Sequence, residues 1–320
     1  MDMKSIEEAD IKEGTKTLVR VDWNVPIGGT GEVLDASRIE ASLRTIEYIK
    51  NAGGVPVIAS HFGREGDSIQ PVIDFARQNC PVLAKGVEFL ENLRKNPGEE
   101  ANSEEFAKEL ANEADFYVNE AFSVSHRKHA SIVGVPKFIP AYVGFNFLKE
   151  FENLSQAFNP EHPFLFILGG AKFETKLPLV EKFLEIADDI FIGGANALPA
   201  SGMSLADNPK VIFPIGDITA LDANAETLEI IEEKIKQAQF ILWNGPLGNY
   251  EKGFVAGTIA LARMLADSNA KIIVGGGDTL AVVKEDIQKQ ISSHGFISTA
   301  GGAMLDFLAN GTLPGIEALS

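Results

Sequence analysis

Short β-branched runs alternate with amphipathic segments of helix length along the whole chain, and that alternation leaves few folds open. Residues 17–21 (TLVRV) and 55–59 (VPVIA) read as strands, and between them Ile39, Leu43, Ile46 and Ile49 recur at helical spacing. The pattern continues through weaker runs at residues 87–90 and 116–118, then through apolar runs at 164–168, 189–192, 240–243, 272–274 and 296–298. Strand, helix and parallel strand in succession imply α/β architecture, with doubly wound parallel sheets covered by helices on both faces. In such sheets ligands sit beyond the carboxyl ends of the strands, so the residues that follow each strand carry the functional expectation.

Two domains are expected, because 320 residues exceed one ordinary domain of roughly 100–200. Residues 142–158 read as one long helix, ended by the run NPEHP at 159–163, and the boundary is placed near residue 147 with this helix as a semi-rigid connector. A formal net charge of −17 opposes general binding to nucleic acid or an anionic membrane, which needs clustered lysine and arginine. The single cysteine, Cys80, permits no intrachain disulfide and suits a reducing compartment. No run of about 18 apolar residues and no apolar leader stand in the sequence, so a soluble cytoplasmic protein is expected.

The strand ends differ between the halves. In the first, residues 17–21 deliver Asp22, Trp23 and Asn24, residues 55–59 deliver His61 and Arg64, and Arg38, Arg94 and Arg127 add further cations. The run from Ala121 to His129 is a local cationic patch in an acidic protein. A solvated basic turn explains it equally well, and a zinc site lacks a third ligand for His126 and His129. In the second half five strands run into glycine: Gly169–Gly170, Gly193–Gly194, Asn244–Gly245, Gly275–Gly276–Gly277 and Gly301–Gly302. Glycine lets backbone approach a ligand, and the free N–H groups of a helix start can bind phosphate. Asp278 is placed to hold a cation there, or else to cap the helix. Lys172 and Lys176, four residues apart, are expected on one helical face around an anion, the competing reading being two surface lysines with buried stems. Neither G-x-x-x-x-G-K-[ST] nor G-x-G-x-x-G occurs. Cations in one lobe and a nucleotide cradle in the other suggest group transfer between two anionic substrates.

The segments VRVDWNVPI, ASHFGR, LENLR, YVNEAFSVSHRKHAS, ILGGAKFETKL, WNGPLGNYE, VGGGDTLAVV and ISTAGGAMLDFL, ending in LPGI, resemble the motifs of phosphoglycerate kinases, in that family's order. The resemblance spans nearly the whole chain. It implies a hinge-bending kinase of two Rossmann-like domains that transfers a phosphoryl group between 1,3-bisphosphoglycerate and ADP, reversibly, with Mg2+. It assigns residues 1–147 to 3-phosphoglycerate, with the tail 304–320 packing back on them, and residues 148–303 to the nucleotide. Asp22, Asn24, Arg38, His61, Arg64, Arg94 and Arg127 would bind the phosphoglycerate. Lys172, Lys176, Gly193, Gly194, Asn244, Glu251, Gly276, Gly277, Asp278 and Thr279 would bind ATP or ADP, Glu251 on the ribose and Asp278 on magnesium.

In-line phosphoryl transfer needs positioning and positive charge more than a covalent intermediate. Arg38 and Lys176 are therefore assigned to the transition state with the Gly301 and Gly302 amides, and His61 to binding. A monomer is expected, with no nucleic-acid or membrane partner. The chain is short for the family: one βα unit is reduced between residues 66 and 86, and residues 195–226 are abbreviated around the expected adenine pocket. The alternative is a non-catalytic homologue that binds a nucleotide or a phosphorylated sugar acid.

Overall fold

The computed structural model describes residues 3–320; the first two, with which the expected 1–147 domain begins, lie outside them. The chain divides into two compact units, one of residues up to Phe151 together with Thr312–Ser320, the other Glu152–Gly311. The division falls after Phe151 rather than near residue 147, inside the helix Phe145–Ser155.

The first unit is built on five parallel strands, β1 (Lys16–Arg20), β2 (Val55–Ala59), β3 (Glu88–Phe89), β4 (Phe116–Asn119) and β5 (Ala141–Val143), in the order β3-β2-β1-β4-β5. The chain winds outward from β1 through β2 to β3, then returns to the other side of β1 for β4 and β5. The switch point therefore lies between β1 and β4, and Arg20 of β1 registers with Ala59 of β2 and Asn119 of β4, so three strand ends stand level.

The second unit repeats the plan with β6 (Phe164–Leu168), β7 (Asp189–Ile192), β8 (Val211–Ile212), β9 (Phe240–Asn244), β10 (Lys271–Gly275) and β11 (Phe296–Ile297), all parallel in the order β11-β10-β9-β6-β7-β8. Here the switch point lies between β6 and β9. All five residues of β6, FLFIL, are buried, as expected for a central strand covered on both faces. Each sheet has its own core, with Val19, Trp23, Ile46 and Ile58 in the first unit and Leu165, Trp243, Leu261 and Ile272 in the second.

Several expectations are corrected. The long helix expected over residues 142–158 begins only at Phe145 and tightens to a 3-10 turn at Gln156–Phe158; residues 141–143 form β5. Tyr142 and Val143 favour an extended edge, and Gly144 marks a close approach, since a Cβ there would fall 1.8 Å from Glu120 Oε2. The start of the helix Phe145–Ser155 is then held by unit 1 side chains: the Phe145 N–H donates to Thr45 Oγ1 at 2.9 Å and the Asn146 N–H to Glu120 Oε1 at 3.1 Å. Residues 66–86 contain the helix Gln70–Asn79 and a 3-10 turn, Pro81–Leu83.

The tail that joins the first unit starts at Thr312 rather than residue 304. Met304, Phe307 and Leu308 are buried in the second unit, where the helix Gly302–Asn310 packs on the helix Phe173–Leu184. Beyond it, the Gly315 N–H donates to the Ser125 carbonyl at 2.8 Å, inside the first unit.

Candidate active site

At the first switch point the end of β1 meets the loop after β4. Asp22, 8% exposed, accepts from Arg38 Nη1 at 2.8 Å and from Ser123 Oγ at 2.5 Å, both on Oδ2. Burial alone would raise the Asp22 carboxyl, but Arg38, His61, the Ser123 hydroxyl and Arg20 together hold it below its ordinary value. Arg38 also donates to the Asn24 carbonyl at 3.2 Å, and Asn24 Oδ1 accepts from the Gly63 N–H at 2.9 Å, so the loops after β1 and β2 are tied together. His61 is 4% exposed. Its burial, with Arg20, Arg94 and Arg127 adding positive field, pushes its pKa down to about 3 against the pull of Asp22. It is a neutral imidazole at physiological pH.

The remaining cations surround this cluster. Arg94 donates through Nη1 to the Gly63 carbonyl and pairs with Glu100 at 2.8 Å. Arg127 follows the loop after β4 and lies 3.5 Å, Nε to Nε2, from His126. Arg64 is exposed, its N–H donating to Asp67 Oδ2 at 2.6 Å. One organiser escaped sequence reasoning. Asn92, 2% exposed, donates to the carbonyls of Phe62, Arg64 and Asp67 at 2.7, 3.0 and 2.8 Å, and accepts from the Phe62 and Arg94 N–H groups at 2.9 and 3.1 Å. This one amide holds the His61–Arg64 loop in place; its signal was the motif LENLR. Ser123, Glu99 and Arg20 were also missed.

At the second switch point the site is mostly backbone. The Gly169 N–H donates to the Asn244 carbonyl at 2.8 Å and the Gly170 N–H to the Pro246 carbonyl at 2.7 Å, locking the loops after β6 and β9 together. The contact demands glycine: a Cβ on Gly245, which has a φ of +93°, would fall 2.3 Å from the Gly169 oxygen. Gly194, with φ +60°, also presses on the loop after β6, a built Cβ falling 2.9 Å from the Gly170 nitrogen. Lys176, 8% exposed, donates to the Gly169 carbonyl at 2.8 Å, and the same oxygen accepts from Asn196 Nδ2 at 2.6 Å. Burial lowers the Lys176 pKa to about 8, with Asp278 acting in the opposite sense. Asn244, 3% exposed, has an amide nitrogen with no protein partner, 3.3 Å from where a Cβ on Gly276 would lie. Such a donor at a glycine turn fits an anionic ligand.

The expected face shared by Lys172 and Lys176 is corrected. Lys172 precedes the helix Phe173–Leu184 as its N-cap, in the left-handed region at φ +62°, and is exposed while Lys176 is buried. The helical i, i+4 relation does not reach across a cap. Asp278 is likewise not the cap: Gly276 is, and Asp278 stands exposed in the first turn of the helix Gly277–Val282, accepting from the Tyr250 hydroxyl at 2.8 Å. Thr279 is fully buried, and its hydroxyl accepts the Gly245 N–H at 3.0 Å, so it braces the cradle from within. Gly301, φ +57°, caps the helix Gly302–Asn310, and open space surrounds both glycines. Glu251 is exposed in the 3-10 turn Tyr250–Lys252. Gly193 and Gly194 line a small cavity with Phe191, Ile215, Asp222 and Leu247. Among the described residues no three His, Cys, Asp or Glu side chains cluster as metal ligands. A lone carboxylate at a glycine turn fits a magnesium ion that would arrive with a nucleotide, since magnesium commonly keeps one or two protein carboxylates and shares phosphate oxygens.

Comparison with known proteins identifies the family. The family model described as phosphoglycerate kinase matches residues 6–77, 72–208 and 205–311. Phosphoglycerate kinases of Finegoldia magna and Rubrobacter xylanophilus are 34% and 35% identical to the chain, covering all of it and 99% and 98% of the relatives. Those alignments run to 399 and 390 positions against a chain of 320 residues, so the relatives carry segments that this chain lacks. The structure of phosphoglycerate kinase from Coxiella burnetii superposes with a TM-score of 0.87 at 30% identity over 99% of both chains, and that from Pyrococcus horikoshii with 0.82 at 27% over 99% and 98%. The chain belongs to the phosphoglycerate kinase family.

Proposed function

We propose that the chain performs the reaction of its family, reversible phosphoryl transfer from 1,3-bisphosphoglycerate to ADP, giving 3-phosphoglycerate and ATP. Family membership makes it a phosphotransferase. The observation that carries the reading to this chain is Lys176. Lys176 is 8% exposed, and its ammonium donates to the Gly169 carbonyl at 2.8 Å rather than to a carboxylate. An unpaired buried cation costs stability unless a ligand supplies the counter-charge, and phosphate is the anion that glycine turns and helix starts accept.

In this reading Asp22, Asn24, Arg38, His61, Arg64, Arg94 and Arg127 hold 3-phosphoglycerate in the first unit. The forks of the arginines suit its carboxylate and phosphate better than point charges would. Lys172, Lys176, Gly193, Gly194, Asn244, Glu251, Gly276, Gly277, Asp278 and Thr279 form the nucleotide side, with Thr279 acting from beneath. Magnesium bound with the nucleotide supplies charge neutralisation at Asp278. Arg38 and Lys176 offset charge on the equatorial oxygens in the transition state, and the Gly301 and Gly302 amides assist. A monomer in the cytoplasm is the accompanying expectation; among the described residues no helix is long and apolar enough to cross a membrane.

The competing reading is a non-catalytic homologue that binds a nucleotide or a phosphorylated sugar acid. Coupled turnover of 3-phosphoglycerate with Mg-ATP separates the two. Turnover by the wild type, with kcat lowered about a hundredfold in Arg38→Ala, is expected. Nucleotide binding by calorimetry without any turnover would leave the binding module standing instead.

A further inference from the structure

Beneath the Asp22–Arg38–His61 cluster lies a buried set of charges that the proposed chemistry does not use. Arg20, at the end of β1, is 1% exposed, and Glu99, ahead of the helix Glu104–Ala111, is 0% exposed. Arg20 Nε donates to Ser131 Oγ at 2.8 Å, Nη1 to the Val21 carbonyl, and Nη2 reaches His61 Nδ1 at 3.3 Å. Ser131 in turn donates its hydroxyl to Glu99 Oε1 at 2.6 Å and its N–H to Glu99 Oε2 at 2.9 Å. The Tyr117 hydroxyl donates to the Ser131 carbonyl at 2.7 Å, and His129 Nδ1 stands 3.7 Å from Glu99 Oε1. A serine hydroxyl thus sits between a buried guanidinium and a buried carboxylate, balancing their charges without letting them pair directly.

The direction of each hydrogen bond in this line is fixed by chemistry. A guanidinium has only donors and does not lose its proton in a protein. His61 Nδ1, facing Arg20 Nη2, must therefore accept, and in a neutral imidazole the proton then resides on Nε2. The rival for Nδ1 is Asp22, whose Oδ1 lies 3.8 Å away, beyond hydrogen-bond distance. An imidazolium would turn an N–H against the guanidinium. It would also add a charge to a buried site already facing Arg94 and Arg127.

We propose that Arg20 is a positioning residue: steered by Ser131 and Glu99, it fixes His61 as the Nε2–H tautomer, so that the ring offers an anionic substrate a donor instead of a lone pair. The role rests on the substrate reading above, because the choice of tautomer matters only if the ligand brings oxygen acceptors to His61. Direct pairing of Arg20 with Glu99 would satisfy both charges but release the imidazole. The serine bridge keeps one arm of the fork on His61.

The test is a long-range 1H–15N spectrum of the histidine rings in uniformly labelled protein near neutral pH, with His61 assigned by its loss in His61→Gln. A protonated Nε2 and an unprotonated Nδ1 are expected in the wild type; a proton on Nδ1, or on both nitrogens, overturns the proposal. Arg20→Gln replaces an obligate donor by an amide that donates or accepts. The His61 tautomer should become mixed, and KM for 3-phosphoglycerate should rise about tenfold with kcat within about threefold, the scale of one charge-assisted hydrogen bond. Arg20→Lys, again donor only, should keep the tautomer and recover most of the binding, a rescue that a purely structural role would not give. An unchanged tautomer and KM in Arg20→Gln overturns the proposal, and if that variant does not fold, the wild-type and Arg20→Lys spectra decide. A wild type with the expected tautomer that fails to bind 3-phosphoglycerate would sink the substrate reading while upholding the tautomer assignment.

Discussion

The two switch points are built by opposite means. At the β1/β4 edge the charges are side chains already paired with one another, Asp22 with Arg38 and Ser123, and His61 with Arg20. At the β6/β9 edge the chain supplies backbone, five glycine turns and a single buried lysine. The helix starts differ in the same way. Glu120 and Thr45 occupy the N-terminus of the helix Phe145–Ser155, whereas the helices Gly277–Val282 and Gly302–Asn310 begin at glycine with no side-chain cap. Capping residues satisfy a helix start, and leaving them out keeps its N–H groups for a ligand. The first unit is organised before a ligand arrives; the second leaves charge and donors unsatisfied until one does.

The largest effect that would break this contrast concerns Lys176. Burial lowers its pKa from the ordinary 10.5 to about 8, so between those values the unfolded chain binds the proton and the folded chain does not. Stability contributed by this site therefore rises with pH through that window and is lowest below it, where folding must bury the charge. Lys176→Met should lower kcat about a hundredfold or more. It should raise the melting temperature of the ligand-free protein at pH 7, measured by thermal unfolding beside the coupled assay. A lower melting temperature would mean that the lysine is structural, and the contrast between the two edges would fail.

A smaller effect sharpens the backbone half of the comparison. Gly245→Ala drives a Cβ to 2.3 Å from the Gly169 oxygen at a φ of +93°, a cost of about 2 kcal/mol in denaturant unfolding. KM for the nucleotide should rise about tenfold, because the loops after β6 and β9 part, while KM for 3-phosphoglycerate stays within about twofold. The control is Gly29→Ala in the first unit, where nothing stands within 4 Å, with a change under about 0.5 kcal/mol expected. Equal losses in both KM values would show that the two sites are not built independently.

Sequence reasoning reached these edges unevenly, and the reasons are physical. β-branched runs marked the buried strands of both sheets, because central parallel strands are apolar on both faces. Two-residue β8 gave no such signal, and β5 was absorbed into the following helix because Tyr142 and Val143 suit either state over so short a run. Asp22, Arg38 and His61 were legible as charges at strand ends, and the cradle was legible as glycines. Asn92, Ser123, Glu99 and Asn196 were not, since a polar residue that serves from beneath a site is indistinguishable in sequence from one on the surface. The assumed helical face for Lys172 failed on a single dihedral, the left-handed φ of +62° that puts this residue outside the helix. Spacing arguments hold inside an element and lapse at its first residue.

The smallest effect tests the capped half of the comparison. Glu120 is 3% exposed, accepts from Thr45 Oγ1 at 2.8 Å and from the Asn146 N–H, and burial raises its pKa from the ordinary 4.5 to about 8. With the folded value above the unfolded one, the native protein keeps a proton that the unfolded chain has lost. The stability tied to that proton is fully present below about 4.5 and drains away as pH rises through about 8. Glu120→Gln retains an acceptor for Thr45 and Asn146 but cannot ionise. At pH 5 the two proteins should unfold within about 1 kcal/mol of each other. Their curves should then diverge, and above pH 8 the glutamine variant should be the more stable. Parallel curves would mean that Glu120 is ionised in the folded state, held by the start of the helix Phe145–Ser155 as a charge. The first unit would then cap this helix with an anion of its own, whereas the helices Gly277–Val282 and Gly302–Asn310 of the second unit begin at glycine with no side-chain cap.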